Sequence, residues 1–164
     1  MVLAAAAIHE AGHWLILRLL GADITGLRVS LLGAAMEVDT SRLSYQKELS
    51  ATLAGPAANL LCAMVLALAD SEQWVVFIGA NVVLCLFNLL PIRLLDGGRA
   101  LYLLVKWMTG PETGENVIRC VGTASGIVLA MGLGYVVWQT GGSFWLLPPA
   151  LGLLAASGRE CFGK

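Results

Sequence analysis

The chain has 164 residues, of which 58% are hydrophobic and only 13% charged, and its formal net charge is −1. Soluble domains carry about 25% charged residues, so this composition excludes a disordered chain, a coiled coil and a charge-rich soluble surface. The nearly neutral charge gives no indication of a nucleic-acid partner. The length fits one domain.

Three long stretches contain no Asp, Glu, Lys or Arg: residues 50–69, 73–92 and 120–158. A membrane-spanning helix needs about 20 such residues. Each of the first two stretches is long enough to cross a bilayer once, and the third is long enough to cross twice. We therefore expect an all-α polytopic protein of the membrane.

The first half of the chain begins with a predicted helix over residues 2–20, which is rich in Ala and Leu and is followed by Gly21, a residue that commonly ends helices. Residues 22–46 mix apolar residues with Thr, Ser and Gly, which predicts short strands or a hairpin. A second apolar helix is predicted over 47–69, broken at Gly55 and Pro56.

The second half continues with a third apolar helix over 73–90, which ends at Pro91. The spacing of the apolar residues then predicts a short amphipathic helix over 97–109. Two further spans are predicted over 114–139 and 143–158.

The basic residues predict the orientation in the membrane. If segments 22–47 and 93–119 share one side, that side carries or adjoins every Lys and Arg of the chain: 18, 28, 42, 47, 93, 99, 106, 119, 159 and 164. The positive-inside rule makes that side cytoplasmic.

The strongest chemical signal is the sequence HEAGH at residues 9–13, an HExxH pattern. On a helix, His9 and His13 share one face and can bind one metal ion together, while Glu10 can accept a proton from a water at that ion. The alternative is a helix with incidental polar residues. Ionisable groups inside a span are costly and usually functional, which favours the metal site.

A zinc site needs at least one more protein ligand. The candidate is Asp96 in the sequence LDGG at 95–98, where the two glycines allow a tight turn after Pro91. The alternative role for Asp96 is an ordinary turn or helix cap. His13 lies eight residues before Gly21, about 12 Å along the helix, so the site is expected nearer the cytoplasmic face.

Three motifs in order carry a family resemblance: HEAGH at 9–13, AGPAAN at 54–59 and NLLPIRLLDGG at 88–98. They match the HExxH, GPxxN and NxxPxxxLDGG patterns of the site-2 protease family of intramembrane metalloproteases. The chain resembles that family over residues 1–108. With only a short segment at 22–46, it is most similar to the sporulation stage IV FB protease subgroup.

The resemblance implies a three-helix catalytic core over 1–108, with residues 109–164 adding further transmembrane helices to the same domain. It implies Zn²⁺ held by His9, His13 and Asp96, with Glu10 as general base. The segment 22–46 would form a membrane-associated β-hairpin, and its part 24–38 could pair with an unwound substrate; the alternative is a simple connecting loop.

The resemblance also places Asn59 and Asn88 near the site, where an Asn amide can donate to substrate or to a developing oxyanion. The alternative for each is helix–helix hydrogen bonding. Many relatives carry a helix before the HExxH helix, whereas only eight residues precede the motif here, so we expect a minimal form or an incomplete start.

The expected reaction is hydrolysis of a peptide bond in or near a transmembrane segment. The partners implied by the resemblance are a membrane-protein substrate, the lipid bilayer and membrane regulators, and the implied location is a bacterial cell membrane. Two alternatives stay open. One is a membrane metal transporter, since intramembrane His, Asp and Glu also mark ion paths, and the other is an inactive protease-like scaffold.

Overall fold

The structure is a computed structural model that describes residues 1–30, 33–39, 43–69 and 71–139, with side-chain environments outside 23–42. Its described part contains five α-helices, two β-strands and a short 3₁₀ helix. It divides into two compact units, Met1–Leu89 and a second unit that begins at Leu90. Each unit is described by itself.

Helix α1 covers Val2–Leu19 and ends as its sequence predicts. Gly21 has a positive φ of 71°. The backbone N–H of Gly21 donates to the carbonyl of Arg18, and that of Ala22 donates to the carbonyl of Leu17. These two bonds form a Schellman motif, which satisfies carbonyls that the last helical turn leaves open.

Two strands follow, β1 at Asp23–Ser30 and β2 at Gly33–Asp39. They pair antiparallel, with Asp23 opposite Asp39 and Ser30 opposite Gly33, and the register shifts between Ile24 and Gly26. The association of this segment with the membrane remains a prediction.

Helix α2 covers Tyr45–Ala67 and runs without a break through Pro56. The prediction of a break at Gly55 and Pro56 is therefore wrong. Proline removes one backbone hydrogen bond from a helix, but both residues are buried among neighbouring side chains. Packing of the surrounding turns therefore outweighs the local preference for a break.

The predicted third span is shorter than expected. A 3₁₀ helix at Glu72–Trp74 leads into α3, which covers Val75–Asn88. In the part of the chain that the structure describes, three helices are long and apolar enough to cross a membrane: Val2–Leu19, Tyr45–Ala67 and Pro111–Gln139. The chain is an integral membrane protein. The span predicted at 143–158 lies outside the described residues.

The second unit contains α4, Asp96–Thr109, and α5, Pro111–Gln139. Gly110 joins them with a φ of 101°, and α5 begins at Pro111 rather than at the predicted residue 114. Proline suits the first turn of a helix, where its missing N–H has no partner to lose. Arg93 forms an ion pair with Glu115, and Ile118 is buried in the core of this unit.

Candidate metal centre

The close approach of α1 to α2 brings the HEAGH residues against the second helix. A Cβ at Gly12 would lie 2.6 Å from the Ala54 carbonyl oxygen and 2.7 Å from the Cβ of Ala58. Both distances are shorter than real Cβ contacts. Gly12 is therefore the residue that lets the two helix backbones meet, and this places both histidines of the motif beside α2.

His9 is held by an amide side chain of α2. Its Nδ1 lies 2.8 Å from Oδ1 of Asn59, and both residues are buried. The Asn59 amide is oriented by its other contact, because its Nδ2 donates to the carbonyl oxygen of Ala5 at 2.9 Å and a carbonyl only accepts. Oδ1 of Asn59 must then accept the hydrogen bond of the His9 Nδ1–H group, which in a neutral ring leaves the lone pair on Nε2.

His13 is held by the backbone of α2. Its Nδ1 lies 2.8 Å from the carbonyl oxygen of Ala51. Because that oxygen only accepts, Nδ1 carries the proton and Nε2 carries the lone pair. The ring occupies space that Gly55 leaves open, since a Cβ there would lie 2.3 Å from His13 Nε2.

The two imidazoles direct their Nε2 atoms at one point. His9 Nε2 and His13 Nε2 are 3.1 Å apart, and the ring planes are inclined at 81°. Two nitrogen lone pairs at this distance repel each other unless a proton or a cation lies between them. Two nitrogen ligands of a tetrahedral zinc ion lie roughly 3.3 Å apart, so this donor pair fits a zinc ion.

Glu10 lies next to His9 on α1 and is half-buried. Consecutive residues of a helix point about 100° apart, so Glu10 flanks the face that carries the two histidines. This is the position that a general base beside a metal-bound water requires. Its role as general base remains a prediction.

A further amide, absent from the sequence prediction, continues the contacts of Asn59. Oδ1 of Asn81 on α3 accepts from Nδ2 of Asn59 at 2.8 Å, and Nδ2 of Asn81 donates to the carbonyl of Phe77 at 2.9 Å. Asn59 and Asn81 are both fully buried, at 0% exposure. The sequence feature that could have predicted Asn81 is its position in the charge-free stretch 73–92, because an amide side chain inside a membrane span requires hydrogen-bond partners.

Asn88 lies at the end of α3 and is half-buried. Its Nδ2 donates to the carbonyl of Leu84, one turn back in its own helix, at 3.0 Å. This is a local contact within one helix, unlike the contacts of Asn59 that join three helices. A role for Asn88 in contacting substrate remains a prediction.

Asp96 is the first residue of α4, in the second unit, and its Oδ2 atom is buried. Gly97 and Gly98 were expected to form a tight turn, but both lie inside α4. The absence of a side chain at Gly98 is what the fold requires, because a Cβ would lie 2.1 Å from the Ile92 carbonyl oxygen. The segment before α4 thereby packs directly on its first turn.

The chain is similar to one family model and to several named proteins. A family model described as "Peptidase family M50" matches residues 69–133. The Synechocystis protein named "Putative zinc metalloprotease sll0528" is 28% identical over 159 residues, which cover 90% of this chain and 42% of that protein. "Putative zinc metalloprotease Rip3" of Mycobacterium tuberculosis is 27% identical over 165 residues, covering 89% of this chain and 41% of that protein.

Among solved structures, "Site-2 Protease from Methanocaldococcus jannaschii" matches with a TM-score of 0.69 and 20% sequence identity, over 97% of this chain and 74% of that chain. The chain therefore shares the fold of that protein. It spans about two fifths of the length of the curated relatives it matches.

Proposed function

We propose that the chain is the catalytic core of an intramembrane zinc metalloprotease of peptidase family M50, which hydrolyses a peptide bond in or near a transmembrane segment. The observation that carries this proposal is the convergence of the Nε2 atoms of His9 and His13 at 3.1 Å on a helix long enough to span a membrane. The relatives named as zinc metalloproteases support the same chemistry.

The third zinc ligand in this proposal is Asp96. A carboxylate completes the set of two histidines and one acid found in catalytic zinc sites, which leaves the fourth position for water. Asp96 lies within the residues matched by the M50 family model. The proposed core covers residues 1–108, and residues 109–164 belong to the same domain.

When bound, zinc would lower the pKa of its water to about 7 and polarise the scissile carbonyl. Glu10 accepts a proton from the attacking water and then donates it to the departing amine. His9 and His13 keep their Nε2 lone pairs directed at one point because Oδ1 of Asn59 and the carbonyl of Ala51 each accept a hydrogen bond from an Nδ1–H group.

The contacts of Asn59 favour a positioning role over an oxyanion role. Both protons of its Nδ2 are used, one toward the carbonyl of Ala5 and one toward Oδ1 of Asn81, so it has no donor left for substrate. We assign the oxyanion or substrate contact to Asn88 instead.

The substrate is a membrane-protein segment that has left its helical conformation, because a helix keeps its carbonyls in internal hydrogen bonds. We place the pairing edge on the β1–β2 segment, lying against the membrane, since an extended peptide can add to an exposed strand. The site opens toward the cytoplasmic face, as the distribution of basic residues indicates, and the bacterial sources of the named relatives favour a bacterial membrane. Within the family, the short segment between α1 and α2 favours the sporulation stage IV FB subgroup.

The decisive experiment replaces Glu10 with Gln. The amide cannot accept the proton from water, so cleavage of a co-expressed membrane substrate should fall by about 10²- to 10⁴-fold, while zinc content stays at the wild-type level. Mass spectrometry of membrane-protein fragments identifies the substrate, because its fragments should be present in cells with wild type and absent in cells with Glu10→Gln. Glu72→Gln, the same chemical change at an exposed residue, is the matched control and should cleave normally.

Undiminished cleavage by Glu10→Gln would contradict the mechanism. Zinc flux into liposomes carrying the purified protein, together with no cleaved substrate, would identify a metal transporter instead. Protein that binds zinc but neither cleaves nor transports would identify an inactive scaffold.

A further inference from the structure

We infer that Asn81 is a positioning residue for the metal centre, which acts on His9 through Asn59. Asn81 lies on α3, Asn59 on α2 and His9 on α1, so one line of hydrogen bonds joins the three helices of the first unit. The inference rests on the proposed zinc site and adds to it a residue outside the HExxH, GPxxN and LDGG motifs.

The direction of every bond in this line follows from its far end. The carbonyl of Phe77 only accepts, so the nitrogen of the Asn81 amide must face it, at 2.9 Å. The oxygen of Asn81 then faces Asn59 and accepts from its Nδ2 at 2.8 Å. The Asn59 oxygen is left to accept from His9 Nδ1, and the Nε2 lone pair of His9 points away from this line.

Burial makes this order of donors and acceptors strict. Asn59 and Asn81 have 0% exposure and His9 has 6%, so water is not at hand to replace a lost partner. If the Asn59 amide rotated by 180°, its NH₂ group would face the N–H of His9 and its oxygen would face the carbonyl oxygen of Ala5. A buried polar group facing its own kind loses its hydrogen bond and keeps the cost of desolvation.

Asn81 therefore supplies the second of two contacts that hold the Asn59 amide in one orientation. Without it, only the Ala5 carbonyl determines which end of that amide faces His9, and one of the two Nδ2 protons loses its acceptor. We expect the His9 ring to lose part of its preference for the tautomer that carries the proton on Nδ1. Partners that orient a histidine ligand in this way affect metal affinity without touching the metal.

The test measures Zn²⁺ affinity of the purified full chain in detergent, by competition with a chelating dye. Asn81→Leu keeps the approximate side-chain size and removes both hydrogen bonds. We expect it to weaken Zn²⁺ binding by about 10-fold, the lower end of the effect of outer partners of metal ligands. Cys85→Val is the matched control, because Cys85 lies one turn further along α3 and is also buried; it should leave the affinity unchanged.

A double-mutant cycle separates positioning from general loss of packing. If Asn81 acts through Asn59, the substitution Asn81→Leu should have no further effect on Zn²⁺ affinity in the Asn59→Ala background. An equal loss in both backgrounds would overturn the inference, since Asn81 would then act independently of Asn59.

A second readout needs neither zinc nor activity. Nitrogen-15 NMR of the metal-free protein, labelled at histidine, reports which nitrogen of His9 carries the proton. Wild type should show the proton on Nδ1, and Asn81→Leu should show a mixture of the two tautomers. If wild type binds zinc tightly and Asn81→Leu changes neither the zinc affinity nor the His9 tautomer, this inference is overturned and the proposed function is not. Absence of zinc binding by wild type contradicts the proposed function, while the NMR spectra still decide the role of Asn81.

Discussion

The two histidines of the HEAGH motif lie one helical turn apart and are held in different ways. His9 is oriented by the Asn59 side chain, which is itself held by a second amide. His13 is oriented by the backbone carbonyl of Ala51 and fits a space left by a glycine. The exposure differs as well, because His9 is buried and His13 is half-buried.

The difference predicts which substitutions disturb the orientation of each histidine. An amide acceptor is lost when its side chain is replaced, and its effect depends on other side chains that keep it from rotating. A backbone carbonyl persists through almost any substitution, so the His13 half is vulnerable only to steric change. Mutations at three residues of α2 should therefore have graded effects on zinc binding.

The largest effect is expected from Gly55→Ala. The new methyl group would lie 2.3 Å from His13 Nε2, which forces the imidazole out of its present position. Loss of one ligand should weaken Zn²⁺ binding by more than about 100-fold, beyond the usual effect of outer partners. Metal analysis of the purified protein measures it. Gly79→Ala, where a Cβ meets no described atom within 4 Å, is the control, and a zinc-loaded Gly55→Ala would disprove the steric account.

An intermediate effect is expected at Asn59, on the His9 side. Asn59→Ala removes the acceptor of His9 Nδ1, which should lower Zn²⁺ affinity by about 10- to 100-fold. Asn59→Asp keeps an acceptor toward His9 and, as the protonated acid, one donor toward the carbonyl of Ala5, so its affinity should lie between those of Asn59→Ala and wild type. Chelator competition measures both variants. Equal losses in the two would show that the acceptor is not what Asn59 contributes.

The smallest effect is expected from Ala51→Ser. The carbonyl that accepts from His13 remains in place, and a serine hydroxyl inside a helix bonds to the carbonyl one turn back. Zinc affinity measured by the same competition should equal that of wild type within error. A loss as large as that of Asn59→Ala would remove the proposed difference between the two histidines.

Local features were the predictable part of the fold. The C-terminal end of α1 followed from Gly21, and α4 followed from the spacing of apolar residues, because these depend on contacts within a few residues. The pairing of His9 with His13 followed from helix geometry alone. The continuous course of α2 through Pro56 did not, because packing against neighbouring helices compensates for the lost backbone bond.

The outer parts of the site were less predictable. Asn81 has no motif around it, and its importance arises only because α3 brings it against Asn59. Gly98 was expected to permit a turn, whereas it gives room for the Ile92 backbone against α4. In both cases the decisive contact is with a residue on another segment, which no local pattern contains.

By itself, the sequence determined that this chain belongs in a membrane, that one span carries two histidines and a glutamate on adjacent faces, and that these could bind zinc. Scarcity of charge and helical periodicity suffice for that. Only the tertiary structure decided which nitrogen of each histidine donates to a neighbouring oxygen. That choice depends on acceptors supplied by α2 and α3, and the direction of a hydrogen bond is set by the partner rather than by the residue itself.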